Sequence, residues 1–145
     1  MKTLILSTLI IFLGLAGVSC AGTPAKKMET RDSVEGILSN TRVMLKNEEL
    51  EKIRKLFDTD YYTGFGELEN RILDTWKREQ LLKIDFTINR ALKTKDGLVN
   101  VQVRWYKLYL DAGGRQRKKS GVSEMILKPY GETYKILDVQ GDQFF

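Results

Sequence analysis

The side chains that most often carry proton transfer and metal binding are scarce in this chain. Its 145 residues include no histidine and one cysteine, Cys20. Histidine exchanges protons readily near neutral pH and is the commonest metal ligand in proteins. Composition therefore argues against serine–histidine and cysteine–histidine catalysis and against most zinc sites. We expect no catalytic residue, no metal site, no cofactor and no enzymatic activity.

Carboxylates are the remaining candidates for acid–base chemistry. Asp138 alternates with Tyr134 and Ile136 along a predicted strand, which places the three on one face. Asp85 alternates opposite its apolar neighbours and is expected to face solvent. A single carboxylate needs a partner or a raised pKa to act as a catalytic base. A solvated Asp138 is therefore the simpler interpretation, although it remains a candidate for lining a pocket.

A loop of acidic and aromatic residues follows the second predicted helix. Asp58, Asp60, Tyr61 and Tyr62 lie close together there. Carboxylates bind hard cations, and tyrosine rings line ligand sites, so a cation or sugar site is one interpretation. The other is a turn that ends the helix, with the rings packed in the core. The spacing lacks the glycine and distal glutamate of an EF-hand, which favours the turn.

Aromatic residues of the third helix and the second strand form a further candidate. Trp76, Trp105 and Tyr109 occur at helix or strand spacing, which is more often typical of a plain core than of a ligand site. If they surround a cavity, its ligand would be small and apolar. The candidate pocket consists of Tyr61, Tyr62, Trp76, Trp105, Tyr109 and Asp138.

The N-terminus resembles a lipoprotein signal. Lys2 precedes an apolar run from Leu4 to Val18, which is too short to span a membrane and ends among small residues. Ser19 and Cys20 resemble the end of the lipobox, at which bacterial lipoproteins are cut before a lipidated cysteine. The resemblance implies acyl chains such as palmitate on Cys20. The alternatives are ordinary signal cleavage after Ala21 and a buried structural thiol at Cys20.

Positive charge is concentrated in the second half of the chain. Residues from Leu81 onward include 12 basic and 7 acidic side chains. A candidate patch for an anionic partner consists of Arg115, Arg117, Lys118 and Lys119. Lipid headgroups or an acidic protein would fit such a patch, whereas nucleic acid is not expected outside the cytoplasm. Lysines on an exposed edge also prevent unwanted strand pairing, and this second explanation is favoured.

The lipobox resemblance implies a signal peptide (1–19) and a lipidated cysteine, which begins a flexible tether (20–31), and the rest of the chain is predicted to form one α+β domain (32–145). Apolar residues at helical spacing predict helices over 33–47, 48–57 and 67–79, and alternation predicts strands over 81–92, 99–110, 115–128 and 133–142. The apolar face of the second strand changes sides near Lys107, which predicts a bulge there. Phe144 and Phe145 are expected to close the sheet against the helices.

N-terminal helices packed on a curved four-stranded antiparallel sheet make an α+β layout. This order of elements, with the closing stretch YKILDVQGDQFF, resembles the NTF2-like family over residues 32–145. The family includes nuclear transport factor 2, SnoaL-like and ketosteroid-isomerase-like proteins. The resemblance implies a cone-shaped cavity and, in the enzymes of the superfamily, an aspartate base with a tyrosine donor.

These features predict a lipid-anchored envelope protein whose domain is a non-catalytic interaction or assembly module. Two alternatives stay open: a carrier of a small apolar ligand in the cone, and an enzyme of the isomerase or dehydratase type. The expected partners are the membrane, an envelope protein, and a second copy bound through the outer face of the sheet. Ala21 beside Cys20 favours the outer membrane, with the domain facing the periplasm, in a cell with two membranes.

Overall fold

The computed structural model describes residues 24–61 and 64–145; the predicted signal, Cys20 and Tyr62 lie outside these ranges. Three helices come first: α1 (Pro24–Lys46), α2 (Leu50–Leu56) and α3 (Phe65–Arg78). Four strands follow: β1 (Glu79–Lys93), β2 (Val99–Asp111), β3 (Gln116–Tyr130) and β4 (Thr133–Gly141). The strands form one antiparallel sheet in the order β1-β2-β3-β4, which confirms the predicted α+β class.

Helix α1 begins earlier than its apolar pattern predicts. The pattern starts at Ser33, whereas the helix begins at Pro24, so the last residues of the predicted flexible tether are helical. Proline is favoured in the first turn of a helix, where its missing N–H costs no hydrogen bond. From Val34 onward the apolar stripe is buried, and the Thr41 hydroxyl donates a hydrogen bond to the Ile37 carbonyl at 2.8 Å.

Strand β2 keeps one apolar face along its length, so the bulge predicted near Lys107 is wrong. The register shifts lie in the two edge strands instead: in β1 after Leu81 and after Ile88, and in β4 at Leu137. Bulges in edge strands bend the sheet and discourage pairing with other chains. The buried, inward-facing residues of β2 are Val99, Val101, Val103, Trp105 and Lys107.

Two C-terminal phenylalanines close one side of the core. Phe144 and Phe145 are buried, with ring centroids 5.0 Å from Phe86 and 5.8 Å from Phe57, respectively. The chain reaches this position by turning at Gly141, which has φ of 80°. A side chain would be strained at that φ, so the turn needs glycine. The predicted closure of the sheet by these rings is confirmed.

Trp105 is a buried core residue on the inner face of β2. Its side chain is 1% exposed. The indole N–H lies 3.1 Å from both the Ser123 hydroxyl and the Asp142 carbonyl oxygen, to which it donates. The indole packs on Gly121, where a Cβ would come within 2.6 Å of its Cζ2 atom. The interior of the cone is therefore occupied by the protein's own side chains at this level.

Candidate functional site

A cavity remains open at the end of the sheet where β1 begins and β2 ends. Its volume is about 400 Å³, and it lies between α3 and the inner face of the sheet. We call it the basic pocket. It is lined by Arg71, Thr75, Arg78, Glu79, Lys107, Lys119, Gln143 and Phe145.

Strand register places two lysines in the basic pocket. Lys107 of β2 is paired with Lys119 of β3, so both side chains leave the sheet on the same face. That face is the inner one. Lys107 lies on the same side of β2 as the buried Trp105, and Lys119 lies on the same side of β3 as Gly121 and the buried Ser123. The two cations therefore lie side by side at the wall of the pocket.

Lys107 is tolerated in this buried position because it has an acidic partner. Its side chain is 5% exposed, and its Nζ atom lies 2.5 Å from Glu79 Oε2. The ammonium also lies 5.1 Å from the centre of the Tyr109 ring. A buried charge is costly unless it is paired and hydrogen-bonded. The pair therefore fixes both side chains at the floor of the pocket and leaves Glu79, 24% exposed, facing the cavity.

Helix α3 contributes two arginines. Arg71 and Arg78 are seven positions apart, about two helical turns, so they project from the same face. Arg78 donates its Nε–H to the Asp74 carbonyl oxygen at 3.0 Å. Within the described residues, Arg71 and Lys119 have no ion pair and Arg78 has no carboxylate partner. The pocket thus holds four cations against one carboxylate.

Gln143 adds an unsatisfied acceptor to the pocket. Its side-chain Oε1 atom is buried and has no hydrogen-bond partner among residues 24–61 and 64–145. Leaving a buried carbonyl oxygen without a donor is unfavourable. Because this oxygen is enclosed, the donors that the pocket offers to a ligand are those of Arg71, Arg78 and Lys119. The arrangement suits charge-assisted hydrogen bonds to a carboxylate, phosphate or sulfate.

The described residues of the predicted aromatic pocket do not line the basic pocket. Trp105 is core, Tyr61 is buried with its ring centroid 4.8 Å from that of Phe57, and Trp76 is half-buried against the core. Tyr109 contacts the basic pocket only through Lys107, and Tyr62 lies outside the described residues. Aromatic spacing here indicated packing rather than a shared ligand site.

Asp138 faces the other way from the predicted orientation. The bulge at Leu137 pairs Asp138 with Ile126, on the opposite face of the sheet from Ile136. Its carboxylate is buried and accepts hydrogen bonds from the Val139 backbone N–H at 2.9 Å and the Gln140 side-chain amide at 2.6 Å. The predictions that Asp138 is solvated and that it shares a face with Tyr134 are both wrong.

The acidic loop after α2 holds a lysine. Lys128 Nζ lies 3.3 Å from Asp58 Oδ1 and 3.1 Å from Asp60 Oδ2. The Asp60 backbone N–H, and then the Lys128 ammonium, hold the pKa of Asp58 below its usual value. No cluster of three or more metal-ligating side chains occurs in the part of the chain that the structure describes. The geometry is that of a turn closed by an ion pair.

The predicted basic patch divides into three parts. Arg115 and Arg117 form ion pairs with Asp111 Oδ2, at 3.2 and 3.0 Å between the nitrogen and oxygen atoms. Lys118 pairs with Leu108 and projects from the outer face of the sheet. Lys119 alone of the four reaches the basic pocket. Charge density along the sequence located the right region but did not separate these roles.

Sequence reasoning missed most of the basic pocket. Arg71, Arg78 and Gln143 were not candidates, and Lys107 was used only to place a bulge. The arginine pair did carry a signal, because two arginines seven apart on the polar side of an amphipathic helix share a face. No local pattern relates Gln143 to that helix, since the two meet only in the folded chain.

Comparison with solved structures identifies the fold. The chain is similar to ActVI-ORFA from Streptomyces coelicolor, with a TM-score of 0.61 and 12% sequence identity over 79% of this chain and 96% of that one. Aln2 from another Streptomyces species gives a TM-score of 0.63 and 10% identity over 84% and 93%. The structure called Rd1NTF2_05 gives 0.58 and 16% over 77% and 98%. The domain therefore has the NTF2-like α+β fold.

The sequence matches no protein-family model and no curated protein sequence. The structural similarity nevertheless overturns the expectation that this protein is not an enzyme. ActVI-ORFA and Aln2 share its fold at 12% and 10% identity, so the expectation drawn from composition alone is withdrawn. The missing histidine excludes one kind of chemistry and does not exclude catalysis. Among the described helices, none is both long and apolar enough to span a membrane.

Proposed function

We propose that this domain binds a small anionic ligand in the basic pocket. The observation that carries the proposal is the charge of the pocket: Arg71, Arg78 and Lys119 surround a cavity of about 400 Å³ without carboxylate partners among the described residues. Each charge-assisted hydrogen bond to such a ligand contributes about 1.5–3 kcal/mol.

The chemistry of the pocket favours an anion over the small apolar ligand considered from the sequence. The aromatic ring that would have contacted an apolar ligand, Trp105, is enclosed in the core. The space that stays open is lined mainly by charged and polar side chains, with Phe145 at one side. Desolvating these cations for an apolar molecule would be unfavourable. An NTF2-like domain that binds a ligand is compatible with the structural neighbours.

Titration calorimetry of the full-length protein in detergent tests the proposal, with inorganic phosphate and succinate as probes at low salt. We expect saturable binding of at least one probe, weakened by added salt because exposed charges are screened. Lys119→Gln and Arg71→Gln should each raise the dissociation constant about tenfold, equivalent to about 1.4 kcal/mol. Lys118→Gln is the matched control, since the adjacent lysine projects from the other face.

Two results would contradict the proposal. One is the absence of binding by either probe at millimolar concentration. The other is an equal loss of affinity in Lys118→Gln and Lys119→Gln, which would indicate attraction by the overall charge of β3 rather than a site.

We also propose that lipid on Cys20 holds this domain at the cell envelope, in the outer membrane where there are two. The support is the N-terminal sequence alone: an apolar run that ends at Ser19-Cys20. Mass spectrometry of the purified protein should show an N-terminal acylated cysteine, and Cys20→Ser should leave the membrane fraction. An unmodified N-terminus after Ala21 would contradict this proposal and leave the basic pocket untouched.

A further inference from the structure

The start of α1 and the basic pocket lie at opposite ends of the sheet. Thr30 and Ser33 of α1 share a cavity of about 260 Å³ with Lys93, the last residue of β1. The basic pocket contains Glu79, the first residue of the same strand. A strand of 15 residues is about 45 Å long at about 3.3 Å per residue. The two sites are therefore separated by most of the length of the domain.

The chain between the proposed anchor and the domain is short. Because α1 begins at Pro24, only residues 21–23 separate Cys20 from the helix, and these span at most about 14 Å. The helical stretch from Pro24 to Thr30 adds about 9 Å, at about 1.5 Å per residue. This reach of about 23 Å is about half the length of β1. The end of the sheet near Thr30 is thus kept close to the bilayer.

That end of the domain carries side chains suited to lipid headgroups. Tyr130, the last residue of β3, is 58% exposed, and Leu92 is 46% exposed. The Lys135 ammonium lies 4.2 Å from the centre of the Tyr130 ring. Tyrosine favours the membrane–water interface, and lysine stems extend their ammonium groups to lipid phosphates. We call this surface the anchor end; it consists of Leu92, Lys93, Lys95, Tyr130 and Lys135.

The charge of the anchor end has the sign that anionic headgroups require. Its three lysines lie near three acids, Asp96, Glu132 and Asp58, of which Asp58 is paired with Lys128. The first turns of α1 add Lys26, Lys27 and Arg31 against Glu29 and Asp32, so the cations are in slight excess. Cations close to an anionic leaflet are attracted to it within a Debye length.

We infer that the anchor end lies against the headgroups of the bilayer, so that the basic pocket opens away from the membrane. The inference rests on the proposed lipid at Cys20 and commits to a bilayer as the partner of this surface. Its consequence is that the pocket receives its ligand from the aqueous compartment. The length of β1 places the pocket about 45 Å from the anchor end.

Fluorescence quenching in vesicles tests the inference. The full-length lipidated protein is reconstituted into phosphatidylcholine–phosphatidylglycerol vesicles, with or without nitroxide on the lipid headgroups. The lipid blocks the Cys20 thiol, so one introduced cysteine is labelled with bimane in each variant: Lys95→Cys, Tyr130→Cys or Lys118→Cys. The first two lie at the anchor end, and Lys118 lies in the exposed stretch of β3 at the opposite end.

We expect headgroup nitroxide to lower the fluorescence of the Lys95→Cys and Tyr130→Cys labels at least twofold and to leave the Lys118→Cys label unchanged. Equal quenching at both ends, or quenching of the Lys118→Cys label alone, overturns the inference. Absence of quenching at all three positions on a protein that floats with vesicles also overturns it, and indicates a soluble partner for this surface. Flotation distinguishes the two ways of failing. A protein that stays below the vesicles refutes both the lipid on Cys20 and the inference, whereas a protein that floats without quenching refutes the inference alone.

Discussion

The indole of Trp105 lies directly on Gly121, its cross-strand neighbour in β3. A Cβ at position 121 would come within 2.6 Å of the indole Cζ2 and 2.5 Å of the Asp142 Cβ. Gly121→Ala should therefore lower the free energy of unfolding by about 1–3 kcal/mol, because overpacking forces the neighbours to shift. Urea denaturation followed by circular dichroism measures this loss.

Gly36 provides the matched control for that substitution. It lies in α1, and no atom is within 4 Å of the place its Cβ would occupy. Gly36→Ala should raise the free energy of unfolding by about 0.5–1 kcal/mol, because alanine loses less backbone entropy in a helix. A Gly121→Ala protein as stable as the wild type would show that Trp105 does not pack on β3 in this way.

Removal of the Trp105 ring should open the cone. Trp105→Ala leaves a void where a fully buried indole was, at a cost of about 3–5 kcal/mol. Apolar voids stay dry and bind small apolar molecules, so benzene should raise the melting temperature of this variant and not that of the wild type. Trp105→Phe keeps much of the volume but loses the donor to Ser123 and Asp142. Equal stabilisation of the wild type by benzene would show that the cone is already open.

The two members of the Glu79–Lys107 pair should differ in their effect on stability. Glu79→Gln leaves a side chain that is 5% exposed with an unpaired ammonium, and breaking a buried pair in this way costs about 3–5 kcal/mol. Lys107→Met removes the buried charge and leaves Glu79 with access to water, so its cost should be smaller. Denaturant unfolding of both single variants and of the double variant at neutral pH measures these losses. Equal losses of unfolding free energy in Glu79→Gln and Lys107→Met would contradict the prediction.

Acid should loosen the hairpin between β2 and β3. The Arg115 backbone N–H and then the Arg117 side chain lower the pKa of Asp111 to about 2. The pKa of an aspartate in the unfolded chain is about 3.9, so the folded state favours the ionised form. The stabilisation is therefore present above about pH 5 and is lost as the pH falls through about 4 to 2.

Amide NMR shifts follow this titration directly. The backbone N–H groups of Gly113 and Arg115 donate to Asp111 Oδ1 at 2.9 and 3.0 Å. Both signals should move with a midpoint near pH 2, and Asp111→Asn should abolish the step. The Gly64 amide is the internal control, since it donates to the Tyr61 carbonyl oxygen outside this hairpin and no acidic residue adjoins it in the sequence. A midpoint near 4 would show that these contacts do not hold the carboxylate.

The order and type of every helix and strand followed from local patterns. Apolar residues at a period of 3.6 or 2 predicted three helices and four strands, and the structure has both sets in the predicted order. The main error of extent was at the start of α1, which begins at Pro24 rather than Ser33. Residues 24–32 lack a regular apolar stripe, so periodicity did not detect this first part of the helix.

The face on which a strand residue lies was less predictable. One extra residue at Leu137 moved Asp138 to the opposite side of β4, because strand side chains alternate with a period of two. Lys107 showed the reverse error. The apolar pattern changes sides near it and so predicted a bulge, yet β2 stays regular, and the buried Lys107 side chain pairs with Glu79. Both outcomes depend on partners far away in the sequence.

The sequence alone determined three properties of this protein: it lacks histidine, its N-terminus resembles a lipoprotein signal, and its helices and strands follow an α+β order. Those properties are compositional or local, so they can be read one segment at a time. Only the tertiary structure decided that Trp105 fills the cone and that Arg71 and Lys119 meet without a carboxylate between them. Burial and charge pairing arise between segments far apart in the chain, and only folding brings those segments together.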